Sequence, residues 1–166
     1  MPRAGSDAEM NEAAAAELKQ LLRERSVAAL GTLHAGAPYV SMVPYAIAND
    51  GSALIIHVSR LASHTKDMHA DPRVSLLVMQ EEGGGISALA LPRASIQGTA
   101  HEVASDAPDL PGLTAAYLGR FPDASPMFGF GDFSLFMIQP EWVRFVAGFG
   151  KAHSLSGESL ARLLAG

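Results

Sequence analysis

With 166 residues, 48% hydrophobic and 17% charged, no cysteine and a formal net charge of −5, the chain has the size of one domain with its own core. The negative balance argues against a general nucleic-acid or anionic-membrane binder, and the missing thiols exclude disulfides, thiolate catalysis and Cys-ligated metals. No signal-peptide core opens the chain and no apolar run nears the ~20 residues of a membrane span; with no cysteine to oxidise, a cytoplasmic location is expected.

Taken in order, residues 1–9 read as a disordered tail on a single domain spanning 1–166. Glu12 to Arg25 predicts a helix, with an Ala-rich start and an apolar stripe through Leu18, Leu21 and Leu22. The period then shortens. Val27 to Leu33 predicts a strand, His34-Ala35-Gly36 a tight turn, and Tyr39 to Ala48 the returning strand. Asn49-Asp50-Gly51 is a second turn and Ala53 to Val58 a third strand.

Ser63 to Ala70 predicts a short helix, capped by Ser63 or Thr65 and stopped at Asp71-Pro72. Arg73 to Gln80 is the fourth strand, Glu81 to Gly85 an acidic, glycine-rich loop, and Arg93 to Val103 a fifth strand. A proline-bearing stretch follows, with a helix over Gly112 to Arg120. Strands over Phe133 to Ile138 and Glu141 to Phe149 and a helix over Glu158 to Leu164 complete the pattern. Six or seven antiparallel strands with peripheral helices predict a small split β-barrel of the mainly β, α+β class. So apolar a composition leaves surface to bury, which predicts a homodimer.

The densest chemistry lies between Ser59 and Lys66. Ser59, Arg60, Ser63, His64 and Lys66 stand at the end of a strand and the start of a helix. Free N–H groups and the positive end of a helix dipole suit a phosphate there. Hydroxyls and cationic heads add charge-assisted bonds. The competing reading is a solvated turn that caps a helix.

Six histidines invite a metal, yet none falls at H-E-x-x-H or a comparable spacing, so no metal site is expected. No G-x-S-x-G elbow supports a Ser-His-Asp hydrolase. No side chain stands out as acid or base, and the catalytic residues stay unknown; Tyr45, His64 and Arg144 are the ones to test.

The order of these segments resembles the FMN-binding split-barrel family, and within it the pyridoxamine 5′-phosphate oxidase-related proteins. The resemblance rests on G-x-P-x-V-S-x-V-P-Y (Gly36 to Tyr45), L-A-S-H-T-K-D-M-H-A-D-P-R-V-S-L-L (Leu61 to Leu77) and R-A-S-I-Q-G-T-A (Arg93 to Ala100). The segment W-V-R-F-V-A-G-F-G-K-A (Trp142 to Ala152) is similar to the haem-utilisation branch. The likeness spans about residues 12 to 153.

It implies FMN at a homodimer interface, its phosphate held by Ser59, Arg60, Ser63, His64 and Lys66, with Arg93 as a further cation. It also implies a ring wall of Met42, Val43, Pro44 and Tyr45, and Trp142 or Arg144 reaching the partner's flavin, with interface packing an equal reading for Trp142. For Val43 and Tyr45, alternation into the core competes evenly with that role. Where related oxidases carry Arg-Lys at the corner, this chain has Ser63-His64.

The expected function is an FMN-dependent oxidoreductase acting on a small molecule left open, since the R-L-x-P signature of true pyridoxamine-phosphate oxidases is not found. Haem binding or breakdown is the first alternative, and a non-catalytic flavin-binding or regulatory module the second. Haem ranks below FMN because haem-degrading members usually carry an added C-terminal domain that this chain is too short to hold.

Overall fold

A computed structural model describes residues 10–148 and 150–166. The expected tail over 1–9 and the end of the last predicted strand at Phe149 lie outside the described residues. The first helix, α1 (Glu12–Glu24), starts at Asn11, whose side-chain oxygen accepts from the Ala14 amide at 2.8 Å. It buries Ala14, Leu18, Leu21 and Leu22 against the barrel.

Two strands follow, β1 (Val27–His34) and β2 (Ala37–Pro44), paired from Val27↔Pro44 to His34↔Ala37. The turn between them is Ala35-Gly36 alone, with φ of 50° and 81°. Positive φ at both central residues is what a twisted two-residue hairpin requires. His34 therefore belongs to the strand and not to the turn predicted for it.

The expected long return strand is broken at Tyr45, giving β2 and a short β3 (Ala46–Ile47). Tyr45 is fully buried, and its hydroxyl donates to the Leu22 carbonyl at 2.7 Å.

Next come β4 (Leu54–Ser59), α2 (Ser63–Ala70), β5 (Arg73–Met79), β6 (Arg93–Glu102), α3 (Leu110–Arg120), β7 (Phe133–Val146), β8 (Ala152–Ser156) and α4 (Gly157–Ala165). All eight strands share one antiparallel sheet in the order β2-β1-β5-β6-β7-β4-β3, with β8 added on β7. The curled sheet is the split barrel expected from the sequence.

Two predicted strands, Phe133 to Ile138 and Glu141 to Phe149, are one. Strand β7 runs through Pro140 because a bulge absorbs it: Gln97 pairs with Trp142, Gly98 with Pro140, and Glu141 is the extra residue. Before the bulge Ser134, Phe136 and Ile138 point inward; after it Val143 and Phe145 do. Glycine is required on both sides. A Cβ at Gly157 would overlap the Pro140 carbonyl, and one at Gly98 the Gln139 carbonyl.

The main core fills the barrel between α1, α4 and the inward side chains of six strands. A smaller apolar cluster joins Ile55 and Leu135 to Leu113 and Tyr117 of α3. No helix among the described residues is long and apolar enough to cross a membrane.

Candidate functional site

Strand β4 ends at Ser59, and α2 begins four residues later with Ala62, which has no capping side chain, at its N-cap. Neither Ser63 nor Thr65 caps the helix. The Thr65 hydroxyl instead donates to the Ser59 carbonyl at 2.6 Å, tying helix to strand. The first-turn amides of α2 are left with no side-chain acceptor, the feature that suits an anion.

The cations expected around this corner do not gather there. Arg60 turns away: its Nε donates to Ser134 Oγ at 3.0 Å and its Nη2 lies 3.4 Å from Glu102. Ser59 donates to Asp132 at 3.1 Å. Arg93 donates to the Leu91 carbonyl at 3.0 Å from the start of β6, on another part of the sheet. Of the expected phosphate ligands, Ser63, His64 and Lys66 remain together on the first turn of α2, with Ser63 and Lys66 exposed.

What converges on α2 instead comes from the β1–β2 hairpin. Alternation places Ala28, Leu30, Thr32 and His34 on one face of β1, opposite Val43, Ser41, Tyr39 and Ala37 of β2. Beyond the barrel core this face meets α2. Asp67, only 5% exposed, accepts from the Thr32 hydroxyl at 2.9 Å and lies 2.7 Å from His34 Nδ1. His64 Nδ1 lies 3.1 Å from Ser41 Oγ. The His34 ring sits beside Tyr39, with centroids 5.7 Å apart.

Burial alone would push the Asp67 carboxyl up. Hydrogen bonds from His34 and Thr32 outweigh it and hold the group below the usual carboxylate range. Burial pushes His64 down, toward the neutral imidazole, against the pull of Asp67.

The opposite face of the hairpin belongs to a broad outer surface. Val40, Gly31, Ser75, Gln97 and Trp142 form one row across five strands, and Met42, Ala29, Leu77, Ser95 and Arg144 the next. Val27, Val40, Met42, Leu77 and Met79 are exposed on it. Two open grooves cut this surface. One, of about 410 Å³, is lined by Tyr39, Val40, Arg73 and Gln97; the other, of about 510 Å³, by Met42, Leu77 and Met79.

Of the expected ring wall, Met42 is 63% exposed, whereas Val43 and Tyr45 are core side chains and offer a ligand no surface. Alternation decides this, as the competing reading held. Pro44 is half-buried at the end of β2. Trp142 and Arg144 share the outer face, and Arg144 donates to Ser154 of β8 at 2.8 Å. Four strand spacings of ~4.8 Å put them roughly 19 Å along the sheet from Val40 and Met42.

Asp67, Thr32, His34, Tyr39 and Ser41 are the site residues that motif reading missed. Asp67 stood inside a quoted motif, three residues after His64, so a helical face was the available signal. No cluster of three or more His, Cys, Asp or Glu suited to a metal ion occurs among the described residues.

The comparisons with known proteins agree on the fold and bear on the ligand. The profile of the pyridoxamine 5′-phosphate oxidase family matches residues 14–147. The chain is 40% identical over 125 residues to a chloroplastic non-canonical haem oxygenase, HOZ, of Arabidopsis thaliana, covering 74% of this chain and 36% of that protein. It is 32% identical over 147 residues to the haem oxygenase HutZ of Vibrio cholerae, covering 87% and 82%.

Among solved structures, a haem-binding protein from Mycobacterium smegmatis superposes with a TM-score of 0.80 at 30% identity, over 89% of this chain and 60% of that one. The chain thus spans little more than a third of the plant relative and 60% of the mycobacterial one.

Proposed function

This chain belongs to the pyridoxamine 5′-phosphate oxidase family, and within it we propose that the protein binds haem and takes part in its oxidative breakdown. The observation that carries this reading is the likeness, at 40% and 32% identity, to two proteins named as haem oxygenases.

The donor set supports it. Haem asks for an axial nitrogen or oxygen donor, a flat apolar surface, and donors for two carboxylates. His34 and His64 supply imidazoles, and Tyr39, Val40 and Met42 apolar surface on either side of β2, the edge strand of the sheet. Ser63, Lys66 and the uncapped amides of α2 can hold carboxylates. A dianionic phosphate is served less well, since Arg60 and Arg93 are committed elsewhere. When bound, haem supplies an iron centre for oxygen chemistry, with electrons from an external reductant. The residues named here bind it, orient it and shield it from water.

The same proposal includes a homodimer. Trp142 and Arg144 are too far along one sheet to share a ligand with Met42. A second copy docked on the exposed apolar outer face would bring them onto it, and cover Val40, Leu77 and Met79 as well.

The test is titration of the purified protein with haem and, separately, with FMN. Stoichiometric uptake of haem with a shifted Soret band, followed by Soret loss under ascorbate and air, is expected. Quenching of FMN fluorescence without any haem uptake would return the protein to the flavin reading. Light scattering should give twice the chain mass; a monomer at all concentrations overturns the dimer.

A further inference from the structure

Asp67 is the only buried carboxylate among the described residues. Burying a charge is costly unless each lone pair finds a donor, and here each oxygen has one: Thr32 on Oδ2 and His34 on Oδ1. An ionised carboxylate only accepts, so His34 Nδ1 carries the proton and donates it. That fixes the tautomer. The lone pair then lies on Nε2, which has no hydrogen-bond partner among the described residues, on a side chain 56% exposed at the end of β1.

An imidazole held this way is a ligand prepared for a metal centre. We propose that His34 Nε2 ligates the iron of bound haem and that Asp67 is its positioning residue; the assignment rests on the haem reading above. The carboxylate sets the ring's orientation and raises the basicity of Nε2. Thr32 stops the carboxylate from swinging, so the orientation is passed from the core of the hairpin to its exposed tip.

Tying α2 to β1 does not account for the arrangement by itself. The Thr32–Asp67 bond already joins the same two elements, entirely within the buried region. His64 is the rival donor, but its Nδ1 meets a neutral hydroxyl, Ser41, and among the described residues no carboxylate hydrogen-bonds to its ring.

The test uses the full chain, haem, and the variants His34→Asn, His34→Gly, Asp67→Asn and His64→Ala. Asn at 34 can still donate to Asp67 but cannot ligate. His34→Asn should keep the melting temperature of the haem-free protein, weaken haem binding by at least the ~10–100-fold that loss of an outer-shell partner costs, and lose the iron–histidine stretch in the ferrous resonance Raman spectrum. Free imidazole should restore the wild-type Soret position in His34→Gly. Asp67→Asn should keep haem but raise its reduction potential and lower the iron–histidine frequency.

A wild-type spectrum and affinity in His34→Asn, or loss of the stretch in His64→Ala alone, overturns the assignment and leaves the haem reading standing. A wild type that takes up no haem sinks both.

Discussion

His34 and His57 both sit near the end of a strand, β1 and β4, and their surroundings make different groups of them. His34 leans on a buried carboxylate and turns its second nitrogen to solvent. His57, on β4, stacks flat on Phe128, with centroids 3.9 Å apart and planes 7° from parallel, beside Tyr117 and Phe133. Burial holds His57 toward the neutral form. One region is polar and pinned in orientation; the other is aromatic packing under α3. The same side chain is a poised donor in the first and a filler in the second.

The contrast can be broken most directly at Asp67. Asp67→Ala removes two hydrogen bonds to a charged group, each worth about 1.5–3 kcal/mol, so a loss near 3 kcal/mol is expected after relaxation. Chemical denaturation checks it; a loss under about 1 kcal/mol would show that the carboxylate is not holding the hairpin to α2. Thr32→Val leaves one carboxylate oxygen unpaired and should cost about 1–3 kcal/mol in the same experiment. His57→Ala lies on the packing side. There the stacked pair contributes about 0.5–1.5 kcal/mol beyond its buried area, and haem affinity should not change.

Lys66→Ala should leave the melting temperature unchanged while weakening haem binding several-fold, the size of one exposed charge pair of about 1 kcal/mol. Equal affinity in high and low salt would argue against that contact.

The smallest effect is the pH response of His57. Its folded-state pKa lies below the unfolded value of 6.5, so the unfolded chain takes up the proton first. The contribution is present above pH 6.5 and is lost as pH falls through the folded value. His57→Gln should flatten that part of the stability profile. An unchanged acid slope would mean that His57 is solvated in the folded protein.

Local pattern made much of this legible. The bounds of α2, Ser63–Ala70, follow from its flanking loop and Asp71-Pro72, and most strands from alternation between turn residues. Four features escaped it. His34 was assigned to the turn because Ala35 tolerates positive φ only where strand pairing on both sides imposes it. Strand β7 looked divided because Pro140 cannot donate a ladder bond, and the bulge that accommodates it depends on Gly98 and Gly157, neither adjacent to it in sequence.

Arg60 looked like part of the cofactor corner by position. Its actual partners, Ser134 and Glu102, lie 74 and 42 residues away. Val43 and Tyr45 could not be divided between core and ring wall until the barrel closed around them.

From its residues alone this chain determined a cysteine-free, apolar, antiparallel barrel with a donor-rich strand–helix corner, because periodicity and turn chemistry act over a few residues. Which donors stay at that corner was decided only by the tertiary structure. Asp67 reaches Thr32 and His34 across 35 and 33 residues, and only the packing of α2 onto the hairpin makes that buried carboxylate affordable. A charge withdrawn from water persists where folding brings its partners, and no local pattern records where those partners are.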